Sequence, residues 1–288
     1  MSPMMKNLLI VLLILIACSD RLRAQDEVSA CRPIMSSLEV HLGSASVRNT
    51  YLTPLLYSGW DLGITYERAR RWKQSGWVSQ QMLSGQFTTG EDKGQHSENW
   101  SGRLRYRYAA HYDIDLFFLT LMVGPYVGAE VGFDYNLKMS SGNNPATARA
   151  AINTGLSLMA ATHYRLLGRA SKAALQLQAP LLGYAMMPEY GASYYESFYL
   201  GGVHHLHHFT SLHNQQDLDV RLLTDVPLLP SRGGDLRVGV GYHIETMKVN
   251  QTHVRFSAIE AIVGWTLQSL PFNRRNTSIL KHPAYEAY

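Results

Sequence analysis

From Phe117 to Leu137 every second residue is apolar: Phe117, Leu119, Leu121, Val123, Pro125, Val127, Ala129, Val131, Phe133, Tyr135 and Leu137. Between them stand Thr120, Gly124, Gly128, Glu130, Gly132, Asp134 and Asn136. Successive strand side chains point to opposite faces, so this run makes one apolar face and one polar face. It is far longer than the five or six residues typical of a soluble strand, whereas crossing a bilayer takes about ten. Repeated glycines on the polar side suit a crowded interior. Pro125 removes a ladder donor and marks a candidate bulge.

The segment Trp100 to Tyr112 repeats the pattern. Trp100, Leu104, Tyr106, Tyr108 and Tyr112 share one face, and Arg103, Arg105, Arg107 and His111 share the other. A helix would mix these two sets around its circumference. A strand separates them, with lipid on the aromatic side and a wet, charged interior on the other. A strand of a soluble sandwich, with the arginines in solvent, is the alternative.

Similar alternation recurs along the chain. It spans Ser37 to Gly43, Trp60 to Tyr66, and more weakly Trp77 to Thr88. It returns from Ile152 to Leu166, Leu175 to Leu181, Leu218 to Leu222 and Leu236 to Ile244. The last strand starts on Val254 and Phe256, then shifts phase to Ile259, Ala261, Val263, Trp265 and Leu267, which reads as a bulge near Ala258. Tyr112 to Asp115 reads as a tight turn. Polar stretches at Glu91 to Asn99 and Ser140 to Thr147 read as loops. Pro188 to Leu212 is the longest irregular connection, with room for a further hairpin.

The N-terminus predicts export. Lys6 precedes the uncharged apolar run Leu8 to Ala17, too short for a spanning helix and suited to a signal peptide. Cleavage after Ala24 is expected. Leu15-Ile16-Ala17-Cys18 resembles a lipobox, which would lipidate Cys18 instead. With Cys18 removed, Cys31 stands alone and no internal disulfide forms. Of 288 residues 17% are charged, and mean hydropathy is −0.14. That argues against disorder, and the lack of a later uninterrupted apolar stretch of about twenty residues excludes a helical membrane protein. A net charge of +4 is too small and too dispersed for nucleic-acid binding.

With the N-terminus in the periplasm, about ten strands place the longer loops on one side and the short turns on the other, the usual asymmetry of outer-membrane barrels. The expected fold is therefore all-β: an antiparallel transmembrane barrel of about ten strands, or twelve with an extra hairpin. Its expected divisions are a signal peptide at 1–24, a short periplasmic segment at 25–35, the barrel at 36–268 and a polar tail at 269–288.

The export signal near Ala24-Gln25, the alternating strands from Ser37 to Leu267, and the aromatic ends Trp60, Trp100, Tyr112 and Trp265 carry a resemblance. The chain resembles the small outer-membrane β-barrel proteins of Gram-negative bacteria, many of unassigned function. The resemblance implies location more than activity. Many such barrels end on an aromatic, whereas this chain continues from Pro271 to Tyr288. Outer-membrane lipid, lipopolysaccharide and the barrel assembly machinery are the partners it implies.

Function is expected to lie in two places. The inner faces carry Arg103, Arg105, Arg107, Glu130, Asp134, Asp217, Asp219, Arg221, Arg237 and Glu245, with Glu39, Asp61, Glu67, Arg165 and Arg255. In a small barrel these mixed signs suggest a paired polar network; in a wider one, a solute pathway. The second place is His204, His205, His207 and His208, a candidate metal cluster that lacks a nearby Cys pair or Asp. His208-Phe209-Thr210 with Asn214 loosely matches the His-x-Ser pair of outer-membrane lipid hydrolases, with Thr in place of Ser. The readings are thus a non-enzymatic barrel with a structural, binding or solute-passage role, a lipid-ester hydrolase using His208, or a soluble secreted β-protein. No cofactor is expected.

Overall fold

The structure is a computed structural model that describes residues 34–72, 75–137, 145–166, 169–191, 199, 205–229 and 234–269. The signal, the periplasmic segment and the polar tail lie outside the described residues, apart from the first and last residues of the barrel strands. Eleven strands follow in chain order: β1 (Ile34–Asn49), β2 (Thr53–Arg71), β3 (Trp77–Asp92), β4 (Glu98–Leu116), β5 (Leu119–Asn136) and β6 (Ala146–Leu166). Then come β7 (Arg169–Met186), β8 (His207–Ser211), β9 (Gln215–Leu229), β10 (Gly234–Val249) and β11 (Thr252–Ser269). Each pairs antiparallel with its neighbour, and β1 pairs with β11 along its whole length, from Ile34↔Ser269 to Asn49↔Val254. The sheet thereby closes into a barrel, as backbone in hydrocarbon requires, and only the short β8 pairs on one side alone.

The barrel has ten staves, because β8 and β9 are two parts of one. β7 pairs with β9 over Lys172 to Gln178 and with β8 over Leu182 to Met186. A turn at Leu212 to Asn214 joins the two parts; the Asn214 amide N–H donates to the Ser211 carbonyl at 3.0 Å. The long connection therefore yields one short strand and no further hairpin among its described residues.

The alternation sets the register throughout. Leu38, Val40, Leu42, Ile64, Leu104, Val127, Val131, Ile259 and Val263 face outward and are about half exposed. Their inward neighbours are buried, Glu39, Asp61, Glu67, Arg103 and Arg237 among them. So broad an apolar exterior around a charged interior does not suit water, and it removes the soluble alternative. Among the described residues no helix is long and apolar enough to cross a membrane; the strands do so.

Four local expectations are corrected. Tyr112 to Asp115 is not a turn: β4 continues to Leu116, and the turn is Phe117-Phe118. The inward carboxylate of Asp113 keeps the strand going by taking the Arg71 guanidinium. Pro125 sits in register opposite Leu156, without a bulge. The bulge lies on the facing strands, where Thr154 pairs with Leu182 but Gly155 pairs with Pro180, leaving Leu181 as the extra residue. There is also no slip at Ala258. The β1 and β10 registers run through it unbroken, so Val254 and Phe256 point inward, and both are fully buried. Arg255 accordingly faces outward and is exposed, and Arg165 is exposed at the rim, so neither belongs to the lumen.

Candidate functional site: the filled lumen and the loop end

The lumen is built in layers, starting at the end where β1 begins and β11 finishes. The first layer is apolar: Met35, Ala69, Val78, Met122 and Met159 meet across the barrel with Ala161 and Ala174. Small and flexible side chains fill a narrow, irregular space there. At this depth Gly124 is needed for close approach, since a Cβ would stand 1.8 Å from the Ala110 carbonyl oxygen.

Above it Arg237, 1% exposed, donates to Glu39 at 2.9 Å, to Glu67 at 3.0 Å, and through a second face of the guanidinium to both oxygens of Asp225 at 2.7 and 2.8 Å. Arg221 donates to Glu39 and to Gln176 and lies 3.7 Å from Glu67. Planar forks suit such multiple contacts, which is why arginine fills these positions.

The middle layer holds Arg105, Arg107, Asp217 and Asp219. Arg107 donates to Asp219 at 2.5 Å and to Gln178 at 2.8 Å. Arg105 lies 3.9 Å from Asp219 and donates to Gln86 at 3.2 Å. His243 bridges Arg105 and Asp217, at 3.3 and 2.9 Å. Opposite, His41 meets Glu260 at 2.7 Å, and Gln86 donates to both Glu260 and Asp61.

The next layer joins Arg103 and Arg149 to one carboxylate oxygen of Glu245, at 2.7 and 2.9 Å, and Arg149 also donates to Glu130. Arg103 stacks over the Phe256 ring, 3.5 Å from its centroid, a cation–π contact. Nearer the rim, Asn49 donates to Asp134 at 2.8 Å. Two separate apolar clusters line the wall from the middle layer toward the loop end: Ala45, Val47, Phe256 and Ala258, and Ala185, Met187, Met247, Val249 and Val254.

Of the fifteen inner-face residues singled out in the sequence, thirteen point inward and take hydrogen-bond or ion-pair partners, whereas Arg165 and Arg255 do not face the lumen. Sequence reading missed Arg149 and Glu260; it placed His41 and His243 on the polar faces of their strands without counting them in the network. Arg149 sits in Ala146 to Ala151, where alanines on both faces erase the period. One cavity of about 30 Å³, room for a water or two, lies among His41, Met82, Gln86, Arg105, Asp219 and Glu260.

The histidine-rich segment does not converge. His204 lies outside the described residues. His207 faces outward and stacks on Tyr184 at 5.7 Å between centroids, whereas His208 turns to the other side and reaches the His205 carbonyl at 2.9 Å. Among the described residues no three His, Cys, Asp or Glu side chains are placed to hold a metal. The hydrolase pattern is also inverted. Thr210 is fully buried and points inward with His208, leaving Phe209 on the lipid side. Asn214 uses both ends of its amide on the backbone of the stave break, at Ser211 and Phe209.

A closed antiparallel ring, an apolar belt outside and a paired ionic core inside define a transmembrane β-barrel of the outer-membrane type. Within that class, the chain belongs to the family described as protein of unknown function (DUF3316), whose model matches residues 7–275. No curated protein matches the sequence. Among solved structures, the translocator domain of the autotransporter NalP from Neisseria meningitidis is similar at 10% identity and a TM-score of 0.39, over 90% of this chain and 94% of that one. Ail, the attachment invasion locus protein of Yersinia pestis, is similar at 8% identity and a TM-score of 0.28, over 80% and 97%. Neisserial surface protein A gives 14% and 0.29, over 80% and 95%. At such values the functions of those proteins do not transfer to this chain.

Proposed function

We propose that this protein is a closed, non-enzymatic outer-membrane barrel that acts by binding at its loop end and does not pass solutes. The filled lumen carries the reading. A conducting pore needs a continuous wet path, and here an apolar layer at the short-turn end lies below an ionic core whose pairs cross the lumen. Ion pairs drawn from opposite walls also resist widening, because opening would strand buried charges. In planar bilayers the purified full-length protein should give no stable current steps. Regular, ohmic steps would overturn the closed reading.

The binding surface is assigned by topology. At the end shared by the first and last strands the connections are short, as at Phe117-Phe118. The opposite end carries the connections at 93–97, 137–145 and 187–206. Long connections outside and short turns in the periplasm are the usual arrangement, and the loop end is accordingly external. It presents Tyr190 and Tyr199, both more than half exposed, which suit a binding surface. An epitope inserted after Gly191 should be stained on intact cells. Staining only after permeabilisation would reverse the orientation.

A further inference from the structure

The outer wall of the barrel changes character sharply along β1, β10 and β11. Leu38, Val40 and Leu42 of β1 face lipid, as do Val240 and Tyr242 of β10 and Ile259 and Val263 of β11. Nearer the loop end the same face becomes a band of hydroxyls, Ser46, Ser58, Thr246 and Ser257, in which the Ser46 and Ser58 oxygens lie 2.9 Å apart. Beyond this band on β1, β10 and β11 stand Arg48, Lys248, His253 and Arg255, beside the exposed Leu55 and Leu56 of β2.

The pairing makes these four one patch. Arg48 stands directly opposite Arg255, and Lys248 directly opposite His253. The Arg48 guanidinium contacts His253 Nδ1 at 3.1 Å. Lys248 and Arg255 are exposed, and Arg48 and His253 are half-buried. Like charges directly opposite across a ladder destabilise it, and such pairs are usually relieved by a neighbouring carboxylate. Here none of the four pairs with a carboxylate among the described residues. Of the carboxylates on these strands, Glu39, Glu245 and Glu260 point into the lumen and are engaged there, and Asp235 lies at the opposite end of β10. Among the described residues the four are thus without a facing carboxylate, and an anion from outside the protein would offset them.

Position selects its source. The patch faces sideways, toward the membrane and not up into solution. Arg48 lies four residues beyond Ser44, which pairs with the outward Trp60, itself 72% exposed. Indole rings collect at the headgroup level, so the cations stand above the belt by about 10 Å for a tilted strand. Anionic headgroups of the surrounding leaflet lie within reach, and each Lys or Arg near such a surface adds attraction. We propose that Arg48, Lys248 and Arg255 form a binding site for the phosphate monoesters of the phosphorylated glycolipid of the outer leaflet, lipid A. A monoester carries more charge than a phosphodiester, and three convergent donors from adjacent strands match it. His253, wedged against Arg48, holds that guanidinium in place. The inference rests on the orientation proposed above but not on the closed lumen, so conductance results leave it untouched.

Native mass spectrometry of the full-length barrel in neutral detergent tests the site. The probes are bis-phosphorylated lipid A, dephosphorylated lipid A and phosphatidylglycerol. The wild type should retain bis-phosphorylated lipid A at least roughly tenfold more tightly than either comparison lipid, and the preference should shrink as salt is raised. The variant Arg48→Gln, Lys248→Gln, Arg255→Gln should lose it while keeping its heat-modifiable gel mobility. Arg68→Gln with Arg70→Gln, outward cations at the opposite end of β2, should leave it unchanged. If the triple variant fails to fold, Lys248→Gln alone should lower the preference in the same direction. Equal retention of all three lipids, or a folded patch variant with wild-type preference, overturns the proposal. Tighter retention of phosphatidylglycerol than of lipid A overturns the assignment to the outer leaflet.

Discussion

Arg237→Leu is expected to prevent stable assembly of the barrel. Arg237 projects from β10 and joins three other strands: β1 through Glu39, β2 through Glu67 and β9 through Asp225. Leucine matches part of its volume but leaves carboxylates buried without that cation. Removing one partner of a buried pair costs about 3–5 kcal/mol, and here three acidic groups share the partner. Total stabilities of about 5–15 kcal/mol leave little margin for such a loss. The check is refolding into short-chain phosphatidylcholine vesicles, read by heat-modifiable mobility and a urea titration. The variant should stay in the unshifted band or unfold at far lower urea. Arg237→Lys keeps the charge but not the fork, so it should fall between the two. A wild-type midpoint for Arg237→Leu would mean that the ionic core does not hold the barrel together.

Val127→Arg should be nearly as damaging, for the opposite reason. Val127 lies near the middle of β5, paired with Tyr108 and Thr154, and is 55% exposed on the apolar belt. Arginine at the midplane of a barrel's lipid face costs about 2–4 kcal/mol. One position along the chain, the interior accepts arginines freely, as Arg107 shows opposite Gly128. Val127→Leu is the volume control and should assemble normally. We also expect Val127→Arg to lower the yield from the cellular assembly machinery, measured as heat-modifiable protein in outer-membrane fractions. Unchanged urea midpoints and yields would show that Val127 does not face lipid.

The contrast between these two sites rests on a side-chain period of two, and that much was legible in the residues. Phe117 to Leu137 and Trp100 to Tyr112 each declare which face is apolar, because a strand gives its side chains only two directions. Thirteen of the fifteen expected lumen positions followed from that rule, as did the ten staves and the sorting of long and short connections. The chain places a charge inside or outside by parity alone.

Parity fails where apolar residues stand on both faces, and there only the closed sheet decided. Val254 and Phe256 read as lipid-facing because they are apolar. The β1 and β10 ladders pass Ala258 without a slip and turn both inward, where Phe256 lies beneath Arg103. The same correction moves Arg255 out of the lumen and beside Arg48, making a cationic patch that no local pattern announces. Asp113 shows the limit in another form: Tyr112 to Asp115 has the composition of a turn, but Arg71 on the second strand supplies an inward partner that extends the strand. Which cation meets which anion depends on stagger around the ring. Arg221 and Glu39 are 182 residues apart in sequence yet share a hydrogen bond. Alternation determines the face of each residue because it is local; partners, plugs and patches depend on register between strands, which exists only once the barrel has closed.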